Sequence, residues 1–357
     1  MSAHIEDPNA KGVTTCSLNK WGPRAVHKLG HDVTLLCGGD GKKRKEYTWN
    51  GIKVIELPVR FELTPTSRII KGFAKELMNI DADVFHTHYY CSFIPEITAI
   101  IGKIRGIPTF TTFHNTFTER KGLSGLLEKI YILLMQPILP LYTKVFFISN
   151  YVKNRPYFKS IKENKKIILR NYLTKLPKLK IKRKKNTILY VGSVKYVKGV
   201  DLLIKAFNKL DIPKLELNIV GSWKGHESYK QHLDSLVKKP RINFLGFLHG
   251  TKKWQQFYSN TILVVPSRAE CFNNVVIEGM ACNIPVIVSN RDALPETLDG
   301  HGLVANLNDE NDLANKISLL LKDEKLRKKF VKEGKKYSKK YSYDMGKQLV
   351  KDYGIKT

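Results

Sequence analysis

Two carboxylates eight residues apart, Glu270 and Glu278, are the groups in this 357-residue sequence whose spacing first suggests chemistry. They fall within VPSRAECFNNVVIEGMACNIPVIVS, residues 265–289. A strand ending at Val265 runs into a loop carrying Glu270, and a helix predicted over Asn274 to Cys282 carries Glu278. A helix that begins at the carboxyl end of a strand presents free N–H groups and a partial positive charge, which suits phosphate. Carboxylates facing the same cleft suit a hydroxyl-rich ligand, because each oxygen accepts hydrogen bonds from sugar or ribose hydroxyls. On spacing alone, two ordinary surface carboxylates explain the pattern equally well.

A second segment, Val191-Gly192-Ser193-Val194-Lys195-Tyr196-Val197-Lys198-Gly199, follows a strand and precedes an amphipathic helix over Val200 to Leu210. Its small residues let a diphosphate approach the backbone, and Lys198 or Lys195 supplies neutralising charge. It matches neither a Walker loop nor G-x-G-x-x-G, so P-loop chemistry and dinucleotide cofactors lose support. His114 follows the strand Thr109 to Phe113, at the end where α/β sheets place ligands. A purely structural histidine accounts for that position as well. His86 and His88 share one face of a strand, packing explains them, and no third ligand is evident nearby. Asp81-Ala82-Asp83 precedes a strand, so no metal site is expected at either place.

These loops need sheets to hold them. Apolar runs at His31 to Leu36, Ile52 to Leu57, Asp83 to His86, Thr109 to Phe113 and Lys144 to Ile148 read as strands separated by amphipathic segments. A second series follows at Thr187 to Val191, Leu215 to Val220, Asn243 to Leu245, Ile262 to Val265 and Pro285 to Val288. Strand and helix alternating twice over predict an α/β protein of two domains. Between the series, Tyr172 to Asn186 holds Pro177 and seven Lys or Arg with no acid, and reads as a basic, solvated linker. A last helix, Tyr343 to Tyr353, lies beyond the final strand and is expected to cap the structure or cross back to the first domain. An open parallel domain ordinarily begins with a hydrophobic strand. Here the loop-like His4 to Gly12 comes directly after Met1-Ser2-Ala3, so the first strand is expected to be missing or truncated.

Composition narrows the class. With 42% hydrophobic against 26% charged residues, the chain has the apolar mass to fold, and disorder is excluded. The net charge of +29 favours polyanions, be they nucleic acid, anionic headgroups or phosphorylated small molecules. Fourteen basic residues against the single acid Glu163 fall between Lys153 and Lys185. Five scattered cysteines, none in a C-x-x-C pair, fit a reducing compartment. The longest apolar run, Ile130 to Tyr142, is broken by Pro137 and Pro140 and cannot span a bilayer. It reads first as a buried helix, and second as a patch that dips into a membrane interface beside the basic segment. A cytoplasmic protein, peripheral on the cytoplasmic membrane face if that second reading holds, is expected.

In combination the motifs resemble the GT-B glycosyltransferases of family 4, a retaining, nucleotide-sugar-dependent group. The resemblance rests on Glu270-(seven residues)-Glu278, framed by Pro266-Ser267 and by Met280-Ala281-Cys282-Asn283-Ile284-Pro285-Val286. Gly30-His31-Asp32-Val33, His86-Thr87-His88, Phe113-His114, Arg170-Asn171, Gly192 with Lys198-Gly199, Val220-Gly221 and Phe244-Leu245-Gly246-Phe247 extend it along nearly the whole chain. It implies two Rossmann-like domains facing a central cleft: an acceptor-binding domain over residues 1–171, a linker over 172–186, a nucleotide-sugar domain over 187–342 and a returning helix over 343–357. It further implies that Glu278 binds the donor ribose, Glu270 the donor sugar, and the backbone of Phe272, Asn273 and Asn274 the sugar and diphosphate. Lys198 would sit on the diphosphate, Gly246, Phe247 and Leu248 near the base, Gly12 beside the phosphates and His114 near the reacting carbon. Catalysis would fall to His114, Glu270 and Lys198, with no cofactor and no metal. The chain departs from the family at Ser193, where Arg is usual, so that either Lys195 substitutes for it or the phosphates are less well stabilised. It departs also at Lys11-Gly12, where two glycines are usual, and at Gly279, where Ala is.

The function expected is therefore transfer of a hexose-type sugar to a hydroxyl, with PTFTTFHNTFTE (residues 108–119) resembling glycolipid-forming relatives and pointing to a lipid or lipid-linked glycan acceptor. Two rivals are a sugar-nucleotide epimerase of the same fold class and a basic nucleic-acid-binding protein. No zinc finger, RNP-like strand or basic heptad array supports the latter, so no specific nucleic-acid partner is expected.

Overall fold

The computed structural model of the chain describes residues 17–39, 42–64, 67–89, 93–116, 122–173, 176–307, 309–342 and 344–355. The start of the chain, including Gly12 and any strand before it, lies outside the described residues. Two compact units are present, Met1–Asn171 with Asp344–Thr357, and Tyr172–Tyr343.

The first unit runs α1 (Ser17–His27), β1 (Thr34–Gly39), β2 (Lys45–Trp49), β3 (Ile52–Thr64), β4 (Ser67–Ile70), α2 (Phe73–Asn79), β5 (Phe85–Tyr89) and α3 (Ile94–Arg105). It continues with β6 (Thr109–Phe113), α4 (Gly122–Met135), β7 (Lys144–Phe147), α5 (Asn150–Lys153) and β8 (Lys166–Ile168). Strands β5, β6, β7 and β8 form a parallel sheet in chain order. Phe110, Phe113, Phe146 and Phe147 of its central strands are fully buried, as a sheet covered on both faces requires. A second sheet has the order β1-β3-β2, with β4 also on β3. Only β1 is parallel there, because β2 and β3 form a hairpin. Its turn is Asn50-Gly51, at φ 51° and 81°, the left-handed pair a two-residue hairpin loop needs. That Asn-Gly between Trp49 and Ile52 was the available signal for the hairpin.

The second unit runs β9 (Thr187–Val191), α6 (Val200–Lys209), β10 (Glu216–Val220), α7 (Glu227–Leu236), β11 (Ile242–Gly246), α8 (Gly250–Ser259) and β12 (Ile262–Val265). It ends with α9 (Asn274–Ala281), β13 (Val286–Ser289), α10 (Leu294–Leu298), β14 (Leu303–Ala305), α11 (Glu310–Lys322) and α12 (Glu324–Ser338). All six strands are parallel, ordered β11-β10-β9-β12-β13-β14. Successive side chains of β9 enter opposite cores: Ile188 and Tyr190 pack with Val200, Leu203, Ile204 and Phe207 of α6, and Leu189 packs with Val276, Ile277 and Met280 of α9. The chain order reverses between β9 and β12, so the loops after these two strands flank the switch point where such sheets bind ligands.

The basic stretch after Asn171 keeps Lys178, Lys180, Lys182, Lys184 and Lys185 exposed while its backbone and apolar side chains are held against the second unit. Leu173 and Leu176 pack against the second core, Lys184 N donates to Ser259 O at 2.7 Å, and the Arg183 guanidinium donates to the carbonyls of Asn260 and Cys282. The final helix, α13 (Met345–Tyr353), belongs to the first unit. Asp344 caps it through Lys347 N, and Gly346 lies so close to the Ala25 carbonyl of α1 that any side chain would collide.

Candidate functional site

The loops after β9, β10 and β11 are stitched together at the carboxyl edge of the sheet. Gly192 N donates to Val220 O at 2.9 Å, Val194 N to Ser222 O at 2.8 Å and Gly221 N to Gly246 O at 2.8 Å. A Cβ on Gly221 would strike the Gly192 carbonyl, so the two chains touch only because the residue is glycine. Gly199, at φ 68°, likewise meets the Pro266 carbonyl. Lys198 is thereby brought beside the loop after β12.

There Lys198 Nζ donates to Glu270 Oε1 at 2.5 Å. The same oxygen accepts from Ser267 Oγ at 3.1 Å and Asn273 Nδ2 at 2.8 Å. Glu270 N donates to Asp292 Oδ2 at 3.0 Å, fixing the loop from behind. The Glu270 side chain is 9% exposed and Lys198 22%, so the pair is shielded without being sealed. Asn273 caps α9 as well, its Oδ1 accepting from Val276 N at 3.3 Å, so one side chain orients both the carboxylate and the helix start.

Glu278, one turn inside α9, pairs with Lys253 of α8: Nζ donates to Oε1 at 2.7 Å. Its other oxygen, Oε2, is buried and has no hydrogen-bond partner among the described residues. Burial pushes the Glu278 carboxyl above the usual range, and the Lys253 ammonium opposes that rise. Lys253 is itself held over the rings of Trp254 and Phe257, 4.6 and 5.7 Å from their centroids.

Nothing in the sequence reading singled out Lys253, because its partner lies 25 residues away on another helix. The clamp on the Lys198 loop was equally hidden. Arg268 binds Asp201 through two parallel hydrogen bonds of 2.8 and 2.7 Å and donates to Tyr196 O at 2.6 Å, while Tyr229 OH donates to Asp201 at 2.6 Å. The Arg268 guanidinium stacks 3.9 Å above the Tyr196 ring. Arginine is the residue suited to such a planar, bidentate, stacked role.

The remaining expected residues of this unit lie around the same edge. Ser193 is exposed and its carbonyl accepts from Tyr190 OH at 2.9 Å. Lys195 precedes the turn Tyr196–Lys198, and its carbonyl accepts from Lys198 N. Phe247 is 45% exposed, whereas Leu248 and Phe272 pack against the second core and Asn274 is exposed.

His114 belongs to the first unit and is 4% exposed just beyond β6. Its Nε2 lies 2.8 Å from His88 Nδ1 of β5, so the neighbouring strand supplies the third histidine that spacing did not reveal. His86 Nε2 contacts Thr112 Oγ1 at 2.8 Å and its Nδ1 contacts Tyr353 OH at 2.5 Å. Burial pushes His114 down to about 3 and holds His86 and His88 well below the ordinary histidine range. In the His88–His114 pair, therefore, one neutral ring donates and the other accepts. Among the described residues no group of three or more His, Cys, Asp or Glu is arranged to hold a metal ion.

Residues 173–337 match the family described as glycosyl transferases group 1, and residues 24–155 match Glycosyltransferase Family 4. An uncharacterized glycosyltransferase of Methanocaldococcus jannaschii is 32% identical over 272 residues, which cover 73% of this chain and 72% of that one. The chain belongs to the family 4 GT-B glycosyltransferases. Among more distant relatives of this glycosyltransferase, the gpi3 subunit of the Schizosaccharomyces pombe phosphatidylinositol N-acetylglucosaminyltransferase is 21% identical over 308 residues, 83% of this chain and 67% of that one. The structure of Anabaena HepE in complex with UDP and glucose has the same fold, with a TM-score of 0.68, 15% identity and coverage of 89% and 91%. No helix among the described residues of the glycosyltransferase is long and apolar enough to cross a membrane.

Proposed function

We propose that this glycosyltransferase moves a hexose-type sugar, with retention of configuration, from a nucleoside-diphosphate sugar to a hydroxyl of a lipid or lipid-linked glycan at the cytoplasmic membrane face. The observation that carries the donor reading is Glu278: one oxygen held by Lys253, the other buried and lacking a partner. A buried acceptor without a donor is costly unless a ligand completes it, and a ribose hydroxyl supplies that donor. HepE, of the same fold, is described in complex with UDP and glucose, and the gpi3 relative is named as acting on a phosphatidylinositol.

In this reading Glu270 accepts hydrogen bonds from the donor sugar, its Oε1 already fixed by Lys198, Ser267 and Asn273. It positions the sugar and is not the nucleophile. The bond from the anomeric carbon to the diphosphate breaks with its electron pair passing to the phosphate oxygen. The acceptor oxygen bonds to the same face, and its proton passes to the departing diphosphate. Lys198, with Lys195 and the N–H groups at the start of α9, stabilises the charge developing on that leaving group. His114 presents a neutral imidazole to the sugar, with its ring oriented by His88.

Incubation with a nucleotide-sugar panel and either a lipid extract or soluble sugars, followed by product analysis, tests the reading. Glycolipid that fails to form with Glu270→Gln is expected. A donor converted to its epimer without any acceptor overturns the proposal.

A further inference from the structure

Helix α4 presents an apolar face that its own unit does not cover. Leu123 is 73% exposed, Leu126 55%, Leu127 59%, Ile130 45%, Leu133 70% and Leu134 59%. Their spacing of three, four and seven residues lines them along one side of the helix. Scattered exposed leucines are ordinary, but a continuous stripe over three turns marks an interaction surface.

The opposite side of α4 is firmly anchored. Tyr131 OH and Tyr89 OH both donate to Glu96 Oε1 at 2.5 Å, and Met135 Sδ lies 3.2 Å from Tyr89 OH. Phe93, 40% exposed, meets the Tyr131 ring edge-on at 5.4 Å and continues the apolar surface. Rotating the stripe inward would break this network, so the exposure is built in. The reading of this run as simply buried is thereby corrected, since the helix spends its inward face on a polar network and leaves its leucines outside.

Charge chooses the occupant. Beyond the carboxyl end of α4, Lys165 Nζ donates to the carbonyls of Pro140 and Tyr142 at 2.8 Å each. Burial, and then the neighbouring charges of Lys162 and Lys103, hold its ammonium below the usual lysine range. Gln136 Nε2 donates to Tyr157 O at 3.0 Å, tying the helix end to the basic stretch around Lys153, Lys159 and Lys162. A second copy would bring together two chains of net charge +29, whereas an anionic surface offsets that charge. Fourteen residues are too few to span a bilayer but enough to lie in its interface.

We infer that α4 is an interfacial docking helix: its Leu123, Leu126, Leu127, Ile130, Leu133 and Leu134 enter an anionic lipid surface while Lys103, Lys162 and Lys165 meet the headgroups. This deepens the lipid-acceptor reading, on which its purpose rests. The test is flotation of the full chain with vesicles of phosphatidylcholine alone and of phosphatidylcholine mixed with phosphatidylglycerol. The wild type floats with the mixed vesicles and less so at high salt. Leu126→Gln/Leu133→Gln lowers the bound fraction by roughly tenfold or more. Lys103→Glu/Lys162→Glu removes the preference for the anionic vesicles. Melting temperature and nucleotide binding in the absence of vesicles stay at wild-type values in both variants. Wild type that fails to float, or a leucine variant that floats as well as wild type, overturns the inference, as does a wild-type dimer that the leucine variant converts to monomer. Nucleotide binding separates the two ideas: wild type that floats but binds no nucleotide sinks the donor reading and leaves the docking helix standing.

Discussion

The two units build their polar clusters in opposite ways. At the carboxyl edge of the second sheet, carboxylates are paired with lysines, Glu270 with Lys198 and Glu278 with Lys253. In the first unit three histidines are kept neutral by burial and by each other. The charged cluster suits a charged, hydroxyl-rich ligand whose bonds change their charge during reaction. The neutral one holds geometry only while its rings stay unprotonated, so acid strains it. Their acid responses should therefore differ in sign.

The contrast is broken most forcefully at Lys198. Lys198→Met removes the cation proposed to stabilise the leaving group and is expected to lower kcat by about 10²- to 10³-fold, with the melting temperature little changed. Steady-state rates at saturating donor check this. Glu278→Gln keeps the shape but removes the carboxylate that pairs with Lys253 and is proposed to meet the ribose, and nucleotide affinity should weaken by roughly 10- to 100-fold by calorimetry.

Acid sharpens the comparison. Burial holds the folded pKa values of His86, His88 and His114 below the unfolded value of about 6.5. Below that pH the unfolded chain binds protons that the folded unit refuses, so stability falls by about 1.4 kcal/mol per pH unit for each histidine, and above it nothing changes. Glu278 has the reverse sign: its raised carboxyl favours the folded state as pH falls through its folded pKa. Hydrogen exchange at pH 7.5 and 5.5 should show β5 and β6 losing protection in acid, with a shallower loss in His88→Gln. Least in size, Lys253→Met removes the cation that opposes the rise in Glu278. The acid limb of nucleotide binding should then move to higher pH, read from affinity against pH.

The same contrast explains what the sequence disclosed. Glu270, Lys198 and Gly199 sit in segments that follow recognisable strands, and Glu278 sits in the helix that follows one of them, so motif and fold were legible together, and three strands, at residues 109–113, 187–191 and 262–265, fall where the apolar runs placed them. Partners drawn from distant elements were not legible. Lys253, the Arg268–Asp201 clamp and the His88–His114 pair each join residues at least 25 positions apart through tertiary packing alone. The exposed face of α4 was half legible: periodicity gives a stripe, but only the network on Tyr131 and Glu96 decides which side faces out.

The measurement closest to the central claim, that the paired carboxylates of the second unit form a nucleoside-diphosphate-sugar site, is a thermal-shift panel of UDP, GDP, ADP, CMP and their sugar conjugates on wild type and Glu278→Gln at fixed salt. A ligand at about 100 times its Kd stabilises by about 2.7 kcal/mol, which is readily seen. One base family is expected to raise the melting temperature of the wild type, and Glu278→Gln to cancel most of the rise. Equal shifts in the two proteins, or none with any nucleotide, would contradict the claim.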